Sequence, residues 1–170
     1  AVPWLFLTKG NHDLWSGTGD PLNWMKMSGG GVMDDWSMRL GLQFPNGREI
    51  RINARHDFPG HSMWNPAHAM SKAAMTGFRD HVLIAGHKHT SAYNIVMDPT
   101  NDMLSHCIRV GGYKLIDTYA RVGGFLKHNF APSCVIIIDP DAENETDLIQ
   151  VFWSVQKGAE YLTHLRESRT

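Results

Sequence analysis

Three short polar clusters carry side chains able to bind a metal ion or move a proton. The first is Gly10-Asn11-His12-Asp13. The second is Arg55-His56-Asp57, with His61 further along the same segment. The third is Gly86-His87-Lys88-His89. Neutral imidazole ligates zinc, iron, nickel and copper, and joins carboxylates in manganese sites. An imidazole close to its own pKa also transfers protons near neutrality. In the third cluster His87 and His89 are two residues apart, so in an extended loop both side chains point the same way and reach one centre. The glycine leading the first and third clusters permits a tight turn and close backbone approach.

Each cluster follows a stretch that reads as a strand: "AVPWLFLTK" (1–9), "REIRINARH" (48–56) and "HVLIAGHKH" (81–89). In an α/β sheet the C-terminal ends of strands converge on the ligand crevice, so the three loops can face one another. "WSMRLGLQF" (36–44) pairs with 48–56 through the hairpin signal "PNG". Further strands are expected at 91–98, 103–110, 133–139 and 147–155, with a turn at 140–146. Helices are expected at 20–27, capped by Asp20 with Pro21 first, at 66–78 with Asn65 as cap, and at 158–168. "SGGG" (28–31) reads as a break, and 111–132 fits helix or loop. Strands outnumber helices, so the chain reads as α/β built largely on sheet.

The ordered pair "GNHD" and "GHKH", with a strand-end His between, resembles the calcineurin-like metallophosphoesterase family. The resemblance spans roughly residues 3–90 through short motifs. It implies a four-layer α/β/β/α sandwich and a hydrolase that uses two metals at the strand ends. Two metals about 4 Å apart clamp the phosphoryl oxygens and the attacking water. By position, Asn11 and His87 would ligate the second metal and His89 the first. His56, at the strand exit, would be the remaining imidazole on the second metal, with His61 as the alternative. His12 would protonate the leaving oxygen or steady the transition state, oriented by Asp13. Two divalent ions are implied, manganese first, with iron or zinc as alternatives. The family's D-x-H and G-D-x-x-[DN] motifs should lie upstream, yet only nine residues precede Gly10 and none is Asp, Glu or His. Asp20, Asp34 and Asp35 follow the motif and do not match by order. The expectation is one domain over 1–170, incomplete at its N-terminus, active as a phosphatase or phosphodiesterase in a longer parent. The competing expectation is a non-catalytic binding or assembly module with a degenerate metal site.

The 170 residues suffice for one core. The formal net charge of −1 gives no electrostatic support for nucleic acid, although phosphoesters in the family's range include nucleic-acid ends. No apolar run is long enough to span a membrane and no signal-peptide pattern is present. Cys107 and Cys134 read as buried thiols in a reducing, cytoplasmic compartment. Oligomeric state is open. Other residues have plainer readings. His68 and His81 flank a helix as surface or capping groups, and His106, His128 and His164 are structural. Lys88 points away from the metals, and Arg51 and Arg55 lie on a solvated strand face, with contact to substrate phosphate as the alternative. Trp15, Trp24, Trp36 and Trp64 are core aromatics or platforms for an aromatic leaving group. The Met-rich run 25–38 is a lid or loose packing. "GNHD" taken alone is a turn.

Overall fold

The computed structural model describes residues 4–14, 19–113, 122 and 130–169. Trp15, His128 and most of the ambiguous 111–132 stretch lie outside the described residues. The chain is mixed α/β. Its centre is a five-stranded mixed sheet in the order β3 (Ser37–Gln43), β4 (Glu49–Arg55), β5 (Val82–Ala85), β7 (Met103–Arg109), β6 (Ala92–Asp98). The inner strands β4, β5 and β7 run parallel, and the edges β3 and β6 run antiparallel to their neighbours. The β3–β4 hairpin closes where the sequence places it: Gly47 takes φ 84° and its N–H donates to the Phe44 carbonyl at 2.9 Å.

Alternation along β5 shows why the sheet is buried on both faces. Leu83 and Ala85 face the helix α3 (His68–Thr76), where Met70, Ala74 and Cys107 join them. Val82 and Ile84 face the opposite way, toward Ile52, Ile108 and Ile149. A strand buried on both sides reads as a continuous apolar run, as "VLIA" does. On that second side lies an antiparallel pair, β8 (Val135–Ile138) and β9 (Ile149–Phe152). Ile136 and Ile138 point to the core. Val135 points outward to helix α5 (Val155–Ser168), where Gly158 admits it. Ser154 caps α5 by accepting the Lys157 N–H.

The remaining layer is small. β1 (Phe6–Lys9) pairs in parallel with β2 (Val32–Asp35), and helix α2 (Pro21–Gly29) connects them beyond the short helix α1 (Asn11–Leu14). Asp20 caps α2 as expected, accepting the Asn23 N–H at 3.0 Å. β2 corrects the reading of 28–31 and its surroundings: α2 runs through Gly29, and a strand follows where loose packing or a lid was expected. A four-residue helix α4 (Glu145–Leu148) likewise replaces the end of the expected 140–146 turn. Asn65 precedes α3 and its Oδ1 accepts the Ala67 N–H at 2.9 Å. Among the described residues no helix is long and apolar enough to cross a membrane. Cys107 is buried, Cys134 half-buried, and neither forms a disulfide.

Candidate metal centre

β4 and β5 are parallel neighbours with Arg55 opposite Ala85, so they release His56 and Gly86 at the same end of the sheet. β1 ends nearby at Gly10. There the chain folds straight into α1: the Asp13 N–H donates to the Gly10 carbonyl, and the Gly10 N–H donates to Asp13 Oδ2 at 2.7 Å. Asp13 therefore fixes the turn that presents Asn11 and His12. After β5, the Lys88 N–H donates to the Gly86 carbonyl at 2.8 Å, and His87 and His89 adopt left-handed φ angles of 60° and 51°. Trp36, whose carbonyl accepts the His56 N–H at 2.7 Å, also has a left-handed φ of 66°. These are uncommon conformations for side chains of this size.

The loops meet. The His56 and His87 rings lie 4.4 Å apart at 65°. Trp36 also approaches His56 edge-on, at 5.6 Å. Gly10 is so close that a Cβ on it would sit 2.5 Å from His56 Nδ1. A cavity of about 350 Å³ opens here, lined by Asn11, His12, Asp13 and His56 among others, with Phe6, Ile84 and Val110 as its apolar floor. Burial, then the neighbouring His87, lowers the His56 pKa and keeps its imidazole neutral and able to ligate.

Among the described residues, two buried side-chain polar atoms have no hydrogen-bond partner: Asn11 Oδ1 and His56 Nε2. Buried lone pairs are almost always satisfied, so orphans need a cause. An amide oxygen and an imidazole nitrogen on one cavity, next to a second imidazole, form a donor set that suits a divalent cation. The fit is to one ion. Among the described residues no three His, Cys, Asp or Glu side chains stand close enough to hold a metal by themselves. His89 faces His12 instead, with ring centroids 6.3 Å apart. His61 is exposed along its loop. Asp34 and Asp35 close β2, where Asp35 and Asp20 flank the Lys9 ammonium at 3.4 and 2.6 Å.

Several plainer readings need correction. His81 is not a surface group: it is buried at the start of β5, and its Nδ1 accepts the Arg51 N–H. Arg51 and Arg55 do not lie on a merely solvated face. Arg51 donates to the Arg79 carbonyl and nears Asp80. Arg55 donates to Asn53 and lies over the rings of Phe58 and Phe78. Lys88 reaches the Gly60 carbonyl at 3.1 Å and Asp57 at 3.4 Å. His106 is structural as expected, bonded to Tyr93.

Sequence reading missed Arg109 and the pairing of Asp57 with it. Arg109 is completely buried and donates three hydrogen bonds of 2.8 Å, to the carbonyls of Pro66 and Gly86 and to Asp57 Oδ1. Burial alone would raise the Asp57 carboxyl pKa, but the Arg109 and Lys88 cations outweigh it and hold the group below its ordinary value. The available signal was an arginine ending the apolar strand "MLSHCIR", since a buried arginine demands partners. The chain matches no protein-family model, no curated protein and no solved structure.

Proposed function

We propose that the chain carries the second-metal half of a dinuclear phosphoesterase centre of the calcineurin-like kind, hydrolysing a phosphate monoester or diester. The observation that carries this reading is the pair of orphaned buried atoms, Asn11 Oδ1 and His56 Nε2, on the cavity beside His87. The stacking of α3, the five-stranded sheet, the β8–β9 pair and α5 supports a four-layer sandwich for the fold. Asn11, His56 and His87 would hold one divalent ion, manganese first, with iron or zinc in its place; His89 would serve the other. When bound, such metals supply the positive charge that activates water and stabilises the phosphoryl oxygens. The chain's own residues do the rest. His12, on the cavity wall, gives a proton to the leaving oxygen, and Asp13 holds the turn that presents it. Phe6, Ile84 and Val110 give the cavity an apolar side. Free thiols at Cys107 and Cys134 suit a reducing, cytoplasmic setting.

A second reading, a binding module with a partial site, is favoured by the absence of a closed three-ligand cage among the described residues. Manganese titration of the 170-residue chain by calorimetry, with a chromogenic phosphodiester assayed on the same sample, tests the two. The hydrolase reading expects His87→Ala to abolish tight manganese binding. It expects His12→Ala to bind manganese normally but lower turnover by about 100-fold or more. Manganese binding without turnover fits a half-site too; no hydrolysis even from a longer parent that supplies the missing carboxylates would favour the module. A wild-type chain that takes up no manganese would end both metal readings.

A further inference from the structure

A buried arginine is an expensive way to end a strand. An apolar side chain of similar volume would fill the same space with no charge to desolvate. What Arg109 alone provides is connection. Its Nη2 binds Asp57, the residue after His56. Its Nη1 binds the carbonyl of Gly86, the residue before His87. Its Nε binds the Pro66 carbonyl, just before α3. One rigid fork thereby fixes the two loops that carry the two closest imidazoles against a helix. Lys88 adds a second tie, since its Nζ lies 3.4 Å from Asp57 and donates to the Gly60 carbonyl. The left-handed backbone at His87 and His89 is a conformation that persists only when its surroundings over-determine it. The bonds from Arg109 to Gly86 and from Lys88 to Asp57 supply that constraint from both sides of His87.

We propose that the Arg109–Asp57 pair is a positioning device that sets the separation of His56 and His87, and through it the affinity and geometry of metal binding. The proposal rests on the metal-centre reading above. Residues that orient metal ligands through hydrogen bonds typically change metal affinity by about 10–100-fold when replaced.

Cobalt(II) is the probe, because its visible absorption bands report ligand geometry as well as occupancy. The 170-residue chain would be titrated with cobalt at a temperature where thermal unfolding shows every variant fully folded. Arg109→Lys keeps the charge but loses the fork. It should weaken cobalt binding by about 10-fold or more and shift the visible bands. Asp57→Asn, which still offers Arg109 an acceptor, should shift the bands in the same way and decides the matter if Arg109→Lys does not fold. Arg39→Lys is the control. It weakens the ion pair with buried Asp80, and the side-chain hydrogen bonds of Arg39 go to Asp80 and not to either ligand loop. It should lower the unfolding midpoint and leave the cobalt affinity and spectrum alone. Folded Arg109→Lys or Asp57→Asn with wild-type affinity and spectrum would overturn the positioning role while leaving the metal centre standing. A wild-type chain that binds no cobalt would overturn both.

Discussion

Gly10→Ala adds a single methyl group, and the structure says where it goes. The new carbon would lie 2.5 Å from His56 Nδ1 and 2.6 Å from Cε1, whereas ordinary contact begins at 3.4 Å. The imidazole must therefore retreat by about 0.9 Å, the difference of those distances. It is not free to do so. Its backbone N–H is held by the Trp36 carbonyl, the Trp36 ring abuts one side, and the His87 ring stands 4.4 Å away. Gly10 is not in the left-handed region, so the methyl acts through sterics and not through backbone strain. Overpacking of this kind costs about 1–3 kcal/mol. The smaller unfolded-state entropy of alanine returns about 0.4–1 kcal/mol. A net loss of about 0–2.6 kcal/mol follows from those two figures. The effect on a metal is larger, because coordination distances hold to within about 0.2 Å, well under the required shift. Manganese affinity should fall by about 10-fold or more. Calorimetric titration of the folded variant, with urea denaturation of the metal-free protein beside it, measures both effects. A variant that keeps both its manganese affinity and its urea midpoint would refute the reasoning. The His56 ring would then swing into the cavity at no cost, which no ligand fixed by Trp36 and His87 could do.

Burial pushes both His81 and His106 down to about 4, with the Arg51 cation adding to the effect on His81 and His81 itself adding to that on His106. Unfolded, each ring binds its proton near 6.5. The stabilisation is thus complete above about pH 6.5 and lost as pH falls toward 4, about 3 kcal/mol per ring at most; a urea midpoint equal at pH 7 and 4.5 would contradict this. Asp80→Asn removes the charge that accepts the Arg39 fork and the Asn53 amide in a fully buried position. It should cost about 2–4 kcal/mol, the partners being half able to resolvate, and a midpoint unchanged in urea denaturation would count against it. Gly158→Ala would place a methyl 2.8 Å from Val135 Cγ1. The clash, at about 1–3 kcal/mol, outweighs the gain of about 1 kcal/mol in helix propensity, so thermal unfolding should move downward and not upward.

Local chemistry was legible where it was decided locally. The "PNG" turn fixes the β3–β4 hairpin, and Asp20-Pro21 starts α2, because a short-range bond or a proline ring settles each. The three strand exits were legible too, since an apolar run followed by a Gly or His marks the change. What stayed hidden was decided by distant partners. β2 is the short, mostly exposed strand "VMDD" beside a run of glycines, and only its parallel pairing with β1 makes it a strand. His81 looks like a helix flank until the Arg51 backbone, thirty positions away, supplies its hydrogen bond. Arg109 bonds to residues 23, 43 and 52 positions distant, so no local pattern announces it. Nor does any composition rule forecast left-handed backbone at His87 and His89, because the glycine beside them would normally absorb such a turn.

The local costs of this fold are unevenly spread. Of the four non-glycine residues described with left-handed backbone, Asp102 sits in the β6–β7 turn, Trp36 and His87 flank His56, and His89 faces His12. Each such residue costs about 1–3 kcal/mol. The two orphaned buried atoms, at about 1–3 kcal/mol each, belong to residues that line the same cavity. Chance would scatter such defects over loops and turns, and relaxation would remove those that nothing requires. Here fully buried Arg109 ties the loops of His56 and His87 together. A sequence consistent with its fold almost everywhere, and inconsistent where imidazoles and an amide oxygen converge, has put its strain where a ligand can repay it. On the proposed metal-centre reading, a bound divalent cation would satisfy Asn11 Oδ1 and His56 Nε2 together.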